Sequence, residues 1–118
     1  MGMVPFYRIS GLVICCLALV ACAPPPPANP MERHARLAAG AEIAARQCAG
    51  YAGGYDGAQK MRQDANRNVT LARNLGATDA DLDRARKAVQ TTFDTTAVWI
   101  SRQEACNQLV SFIAWESN

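Results

Sequence analysis

The stretch Asn74-Leu75-Gly76-Ala77-Thr78 lies between two long segments of helical periodicity and predicts the turn on which the fold depends. Gly76 suits the left-handed backbone position just past the C-terminus of a helix. Thr78 is followed three residues later by Asp81, which resembles an N-cap residue with an acidic partner. We therefore expect one helix to end before Gly76 and another to begin after Thr78.

Apolar residues recur every three or four positions on both sides of this turn, as one buried helical face requires. If the chain reverses at residue 77, residues equidistant from it face each other. These facing pairs are Ala72 with Leu82, Val69 with Ala85, Ala65 with Val89, Met61 with Phe93, Ala45 with Leu109, Ala41 with Ile113, and Cys48 with Cys106. The pairing of small with large side chains favours a long antiparallel helical hairpin in an all-α fold.

A glycine cluster interrupts the first segment at Gly50, Gly53, Gly54 and Gly57. Each interior glycine costs a helix about 1 kcal/mol, so a turn here and a bundle of three or four helices is the alternative. An up-down-up bundle of equal helices would place Cys48 near residues 94–98, not near Cys106. We therefore favour a hairpin whose first arm runs through or kinks at the glycines.

In that hairpin the glycines lie across from Tyr51, Tyr55, Trp99 and Gln103, where large rings need space. We interpret this region as rings packed against glycine backbone. The functional alternative is a backbone-lined binding spot framed by the same rings.

The N-terminus has the parts of a secretory signal. Arg8 and the amino terminus supply positive charge, and residues 9–20 are almost wholly apolar. This apolar stretch is shorter than the roughly 20 residues that a membrane-spanning helix needs. An ordinary cleaved signal with Ala21-Cys22-Ala23 at the cut, or an uncleaved anchor, would also fit the pattern.

The sequence Leu19-Val20-Ala21-Cys22 resembles the lipobox of bacterial prolipoproteins, which signal peptidase II cleaves. The resemblance implies that Cys22 carries a diacylglyceryl group and becomes the first residue of the mature protein. It divides the chain into a signal peptide (1–21), a lipidated cysteine with a proline-rich tether (22–30) and a helical domain (31–118). Because Ala23 stands where an inner-membrane lipoprotein often has Asp, the resemblance favours the outer membrane, facing the periplasm.

Cys48 and Cys106 are the cysteines that remain besides Cys22 once the signal is removed. An even pair in a small domain exported to an oxidising compartment predicts a disulfide. A free or metal-binding pair is the alternative, but His34 is the only histidine that could join it. We therefore expect a Cys48–Cys106 disulfide and no metal site.

The last third of the chain has more apolar residues than a two-helix core can cover. Val98, Trp99, Val110, Phe112 and Trp115 fall on more than one helical face. We expect Trp99, Phe112 and Trp115 to contact a second copy, an envelope protein or the membrane surface. The alternative is that residues 31–47 wrap over them.

Charge and composition argue against several classes of function. Removing Arg8 with the signal leaves 11 of the 12 basic residues against 10 acidic ones, so charge gives no case for nucleic acid. No Ser-His-acid set, haem attachment motif or phosphate loop is present, and we expect no catalytic residues and no cofactor. The sequence thus favours a non-enzymatic envelope lipoprotein that acts as a structural or protein-interaction module. The alternative is a small-ligand-binding or inhibitory protein that uses Tyr51, Tyr55 and Trp99.

Overall fold

The computed structural model describes Pro27 and residues 29–116. The predicted signal peptide, the lipobox, Cys22 and most of the tether lie outside the described residues. The described part forms helices α1 (Pro30–Gln47), α2 (Gly54–Asn74), α3 (Asp79–Trp99) and α4 (Arg102–Glu116), with a short 3-10 turn at Ala49–Tyr51. It holds no strand, and the predicted all-α class is confirmed.

Helix α1 lies at the centre of the molecule, and the other three helices pack around it. Its middle is rich in alanine, and its side chains are buried on nearly every side. The buried residues are Ala35, Leu37, Ala38, Ala39, Gly40, Ala41, Ile43, Ala44 and Ala45. Small side chains let three neighbouring helices approach one helix closely, which explains why α1 is the core element.

The helices run up, down, up and down along α1. The ring Nδ1 of His34 is 2.9 Å from the side-chain oxygen of Asn68, which places α2 antiparallel to α1. Helix α3 runs parallel to α1, because Ala85 shares a cluster with Ala35 while Gln90 bonds Gln47 further along. Helix α4 returns antiparallel, with Arg33 bonded to Glu116 at one end and Cys48 bonded to Cys106 at the other.

The turn between α2 and α3 is formed as predicted. Gly76 has a φ of 97°, in the left-handed region that glycine adopts without strain. The hydroxyl of Thr78 accepts the backbone N–H of Asp81 at 3.2 Å. The Asp81 carboxylate in turn accepts the backbone N–H of Thr78 at 2.9 Å, which completes a reciprocal capping box.

The glycine cluster forms a second turn, so the first predicted arm is divided into α1 and α2. Gly53 and Gly54 have φ values of 89° and 66°. A Cβ on Gly57 would lie 1.6 Å from the carbonyl oxygen of Ala52, so only glycine fits there. These glycines are therefore required by the backbone conformation of the turn. The predicted packing of these glycines against Tyr51, Tyr55 and Trp99 is wrong, because the chain turns here instead of continuing as one helix.

The second predicted arm is divided as well, at Ile100 and Ser101, between α3 and α4. The Ser101 hydroxyl accepts the backbone N–H of Glu104 at 3.0 Å and caps the new helix. Four helices thus replace the single long hairpin, and within the described residues α2 and α3 barely touch each other. The predicted pair Met61 and Phe93 belongs to one apolar cluster, but α1 supplies much of that cluster.

The predicted disulfide is present. The sulfur atoms of Cys48 and Cys106 are 2.18 Å apart, their Cα atoms are 5.5 Å apart, and both residues are fully buried. The bond joins the C-terminal end of α1 to the first turns of α4. Its register agrees with the predicted facing of α1 and the C-terminal segment, since Ala41, Leu109 and Ile113 share one core cluster.

Candidate interaction surface and apolar groove

The bundle has two distinct ends. The tether end holds the start of α1, the turn between α2 and α3, and the end of α4, which the Arg33–Glu116 bond joins to α1. The distal end holds the disulfide, the glycine turn and the corner between α3 and α4. The 18 residues of α1 separate the two ends by about 27 Å at 1.5 Å per residue.

Three consecutive apolar residues form an exposed patch at the distal end, and we call Val98, Trp99 and Ile100 the distal patch. Their exposed fractions are 79%, 82% and 67%. Helix α3 ends at Trp99, and the chain turns at Ile100 and Ser101 before α4 begins, so none of the described helices covers these side chains. Large apolar residues grouped on a surface are typical of a binding site.

The structure separates the three residues that the sequence predicted as partner contacts. Trp99 lies in the distal patch, whereas Trp115 is 83% exposed near the tether end of α4. Phe112 is partly buried against the core cluster that includes Leu109. The alternative interpretation, in which residues 31–47 cover the C-terminal segment, therefore holds for α4 but leaves both tryptophans uncovered.

Tyr51 and Tyr55, the other residues of the predicted ligand site, are also on the surface. Tyr51 lies in the 3-10 turn and Tyr55 in the first turn of α2, and both side chains are exposed. Neither of the two cavities described among the resolved side chains is lined by these tyrosines or by Trp99. The rings therefore form exposed surface rather than the walls of a described pocket.

An apolar groove of about 230 Å³, which the sequence pattern does not predict, lies between α3 and α4. Its walls come from both helices, with two arginines of α1 and one residue of the tether. The lining residues are Pro27, Arg33, Arg36, Ala88, Val89, Thr92, Phe93, Thr96, Ala105, Gln108, Leu109, Phe112 and Glu116. The break at Ile100 and Ser101 creates the groove, because it lets α4 turn back beside α3.

The charged residues of the groove are balanced in pairs. Arg33 donates to the Glu116 carboxylate at 3.0 Å and to the Glu116 carbonyl oxygen at 2.6 Å. Arg36 is 2.5 Å from the carboxylate of Glu32. The groove therefore combines apolar walls with charged residues that are paired with one another at the tether end.

Polar side chains outside the groove form hydrogen bonds that stabilise the fold. Asn68, a buried polar residue, contacts His34 and donates to the carbonyl oxygen of Asp64 at 2.9 Å. Hydrogen bonds from the backbone and then the hydroxyl of Thr78 lower the pKa of Asp81, in keeping with its capping role. Within residues 29–116, no three His, Cys, Asp or Glu side chains converge in a way that could hold a metal ion.

The described helices also include none that is both long and apolar enough to cross a membrane. Comparisons with known proteins identify no relative: no family model, curated protein or solved structure matches this chain.

Proposed function

We propose that this chain is a non-enzymatic lipoprotein of the bacterial cell envelope, anchored through Cys22, that binds a partner protein through its distal patch. The anchor is supported by the resemblance of Leu19-Val20-Ala21-Cys22 to a lipobox. The outer membrane, facing the periplasm, is the favoured location because Ala23 follows the cysteine.

The distal patch is the observation that carries the proposed interaction. Fully burying an aliphatic or aromatic side chain stabilises a complex by about 1.5–3 kcal/mol, so the exposed patch supplies a driving force for association. Tryptophan is frequent among the residues that dominate binding energy. Trp99, the most exposed residue of the patch, is therefore the expected centre of the contact.

The position of the patch supports a partner beyond the anchoring membrane. The tether enters α1 at the tether end, about 27 Å along α1 from the distal end. An anchor at Cys22 keeps the tether end nearest to the lipid surface. The distal patch is then presented to the periplasm, while Trp115 at the tether end faces the membrane side.

Site-specific photo-crosslinking in intact cells tests this function. A benzophenone amino acid replaces Trp99, and the control carries it at Lys87, an exposed residue of the same helix about 18 Å from Trp99. We expect a discrete crosslinked product from position 99 and none from position 87. Mass spectrometry identifies the partner.

A binding measurement with the purified partner completes the test. Trp99→Ser should weaken binding about tenfold or more, which corresponds to about 1.4 kcal/mol, whereas Thr95→Ser should leave it unchanged. A product of twice the mass of the chain would identify a second copy as the partner. Lack of any discrete product from position 99, with the disulfide intact, would contradict the proposed interaction.

A further inference from the structure

The groove between α3 and α4 has the chemistry of a site for an uncharged apolar chain. Val89, Phe93, Leu109 and Phe112 contribute its large apolar side chains. The carboxylates of Glu116 and Glu32 already balance the charges of Arg33 and Arg36 at the tether end of the groove. A charged ligand group would have to compete with these ion pairs, whereas a hydrocarbon segment needs only the apolar walls.

The size of the groove suits part of one hydrocarbon chain. Its volume of about 230 Å³ exceeds the roughly 150 Å³ of an apolar cavity that binds benzene. It is smaller than the roughly 300–1,000 Å³ of pockets that enclose whole drug-sized ligands. The groove therefore has room for a segment of an acyl chain but not for a complete lipid.

The tether brings a source of such a chain to the groove. Pro27 is itself a lining residue, and Cys22 precedes it by only five residues. Five residues span at most about 18 Å when fully extended. Any acyl group on Cys22 is therefore held within reach of the groove at a high effective concentration.

We propose that the groove between α3 and α4 holds part of an acyl chain attached to Cys22 of the same molecule. This inference rests on the proposed acylation of Cys22. Sequestering one chain in the groove shields its hydrocarbon from water, which favours the bound state. The groove thereby gives the lipoprotein a state in which fewer of its acyl chains are exposed before it enters a membrane.

Intramolecular crosslinking of the full chain in cells tests the proposal. A benzophenone amino acid replaces Gln108, an exposed residue on the rim of the groove, and the control carries it at the exposed neighbour Asn107. After irradiation and tryptic digestion, mass spectrometry should find the peptide with position 108 joined to the lipid of the peptide that begins at Cys22. The Asn107 control should lack this product.

A second pair of variants distinguishes an acyl chain bound in the groove from one that only lies near position 108. Thr92→Phe places a ring in the groove, whereas Thr91→Phe places it on the exposed neighbouring position. In the Gln108 background, Thr92→Phe should abolish the lipid crosslink and Thr91→Phe should retain it. The Cys48–Cys106 peptide pair in the same digest reports that each variant is folded.

The outcomes distinguish this proposal from the proposed function. If Cys22 carries acyl chains but position 108 crosslinks only to free lipid, to a partner protein or to nothing, the groove is not the site of the attached chain. If the peptide that begins at Cys22 carries no lipid, the proposed anchor is overturned and this inference falls with it.

Discussion

At the scale of single residues, side-chain caps decide where three of the four described helices begin. Asn29 accepts the backbone N–H of Glu32 at 2.9 Å at the start of α1. The hydroxyls of Thr78 and Ser101 likewise accept a backbone N–H at the start of α3 and α4. Each cap satisfies a backbone donor that the first turn of a helix leaves without a partner. Helix α2 begins instead after a left-handed glycine, Gly53, which has no side chain to donate or accept.

Removing the cap of α3 should destabilise the protein by a predictable amount. Thr78→Ala deletes the hydroxyl that accepts the Asp81 N–H, and we expect a loss of about 1 kcal/mol in the free energy of unfolding. Urea unfolding followed by circular dichroism measures it. Thr91→Ala, in the exposed middle of α3, is the control and should cause no loss, because alanine favours helix.

The same capping box predicts a pH dependence. Because Thr78 lowers the pKa of Asp81 in the folded protein, the ionised carboxylate favours the folded state. Its contribution is complete above the ordinary pKa of 3.8 and disappears as the pH falls through the lowered folded pKa. The stability difference between wild type and Asp81→Asn should therefore shrink in acid. A difference that stayed constant down to the most acidic folded conditions would contradict the assignment.

At the scale of elements, the turns decide the packing. The sequence predicts the turn at Gly76 and Thr78, because a capping pattern depends only on neighbouring residues. It also predicts the disulfide, because an even pair of cysteines can be counted without knowing the fold. It did not predict the break at Ile100, although Ser101-Arg102-Gln103-Glu104 matches the capping-box pattern. With that break, α4 starts beside the end of α3, and Cys106 reaches Cys48 without a long hairpin.

The central position of α1 could not be predicted by pairing residues that lie at equal distances from the turn. Pairing residues about one turn assumes two rods, so each rod has one buried face. Ala38, Ala39 and Ala45 lie on several faces of α1, and their burial depends on three separate neighbours. Alanine is compatible with both buried and exposed helix surfaces, so the sequence alone carries little information about which of these faces are covered. The sequence does not predict the groove for the same reason, since the groove exists only between two helices whose shared periodicity predicts a single arm.

In the glycine turn between α1 and α2, one glycine should not tolerate substitution by alanine, whereas another should. A Cβ at Gly57 would overlap the Ala52 carbonyl oxygen, so Gly57→Ala should destabilise the protein by about 1–3 kcal/mol. Gly50 is the control, because an added Cβ there meets no atom within 4 Å. Thermal unfolding of the two variants makes the comparison. Equal stability of both variants would contradict the described turn.

At the scale of the whole molecule, the disulfide closes the bundle. It links residues 58 positions apart and holds the distal end of α1 against α4. A loop of this length corresponds to about 4 kcal/mol in the chain-entropy model. Such a contribution is large for a small domain whose core consists mainly of alanine.

Breaking the disulfide should therefore lower the free energy of unfolding by about 4 kcal/mol. Urea unfolding with and without a reductant measures the change. The variant with both Cys48→Ala and Cys106→Ala is the control, since a reductant should not affect it. Wild type that was equally stable in both conditions would show that the bond contributes nothing to the fold.

The central functional claim is the lipid anchor, because the proposed location and the proposed role of the groove both depend on it. The most direct measurement is the mass of the N-terminal peptide of the mature protein, isolated from membranes of a bacterium that expresses the full chain. We predict a peptide that begins at Cys22 and carries a diacylglyceryl group, and Cys22→Ser should prevent this processing. A mature protein that begins at another residue, or at an unmodified Cys22, would contradict the claim.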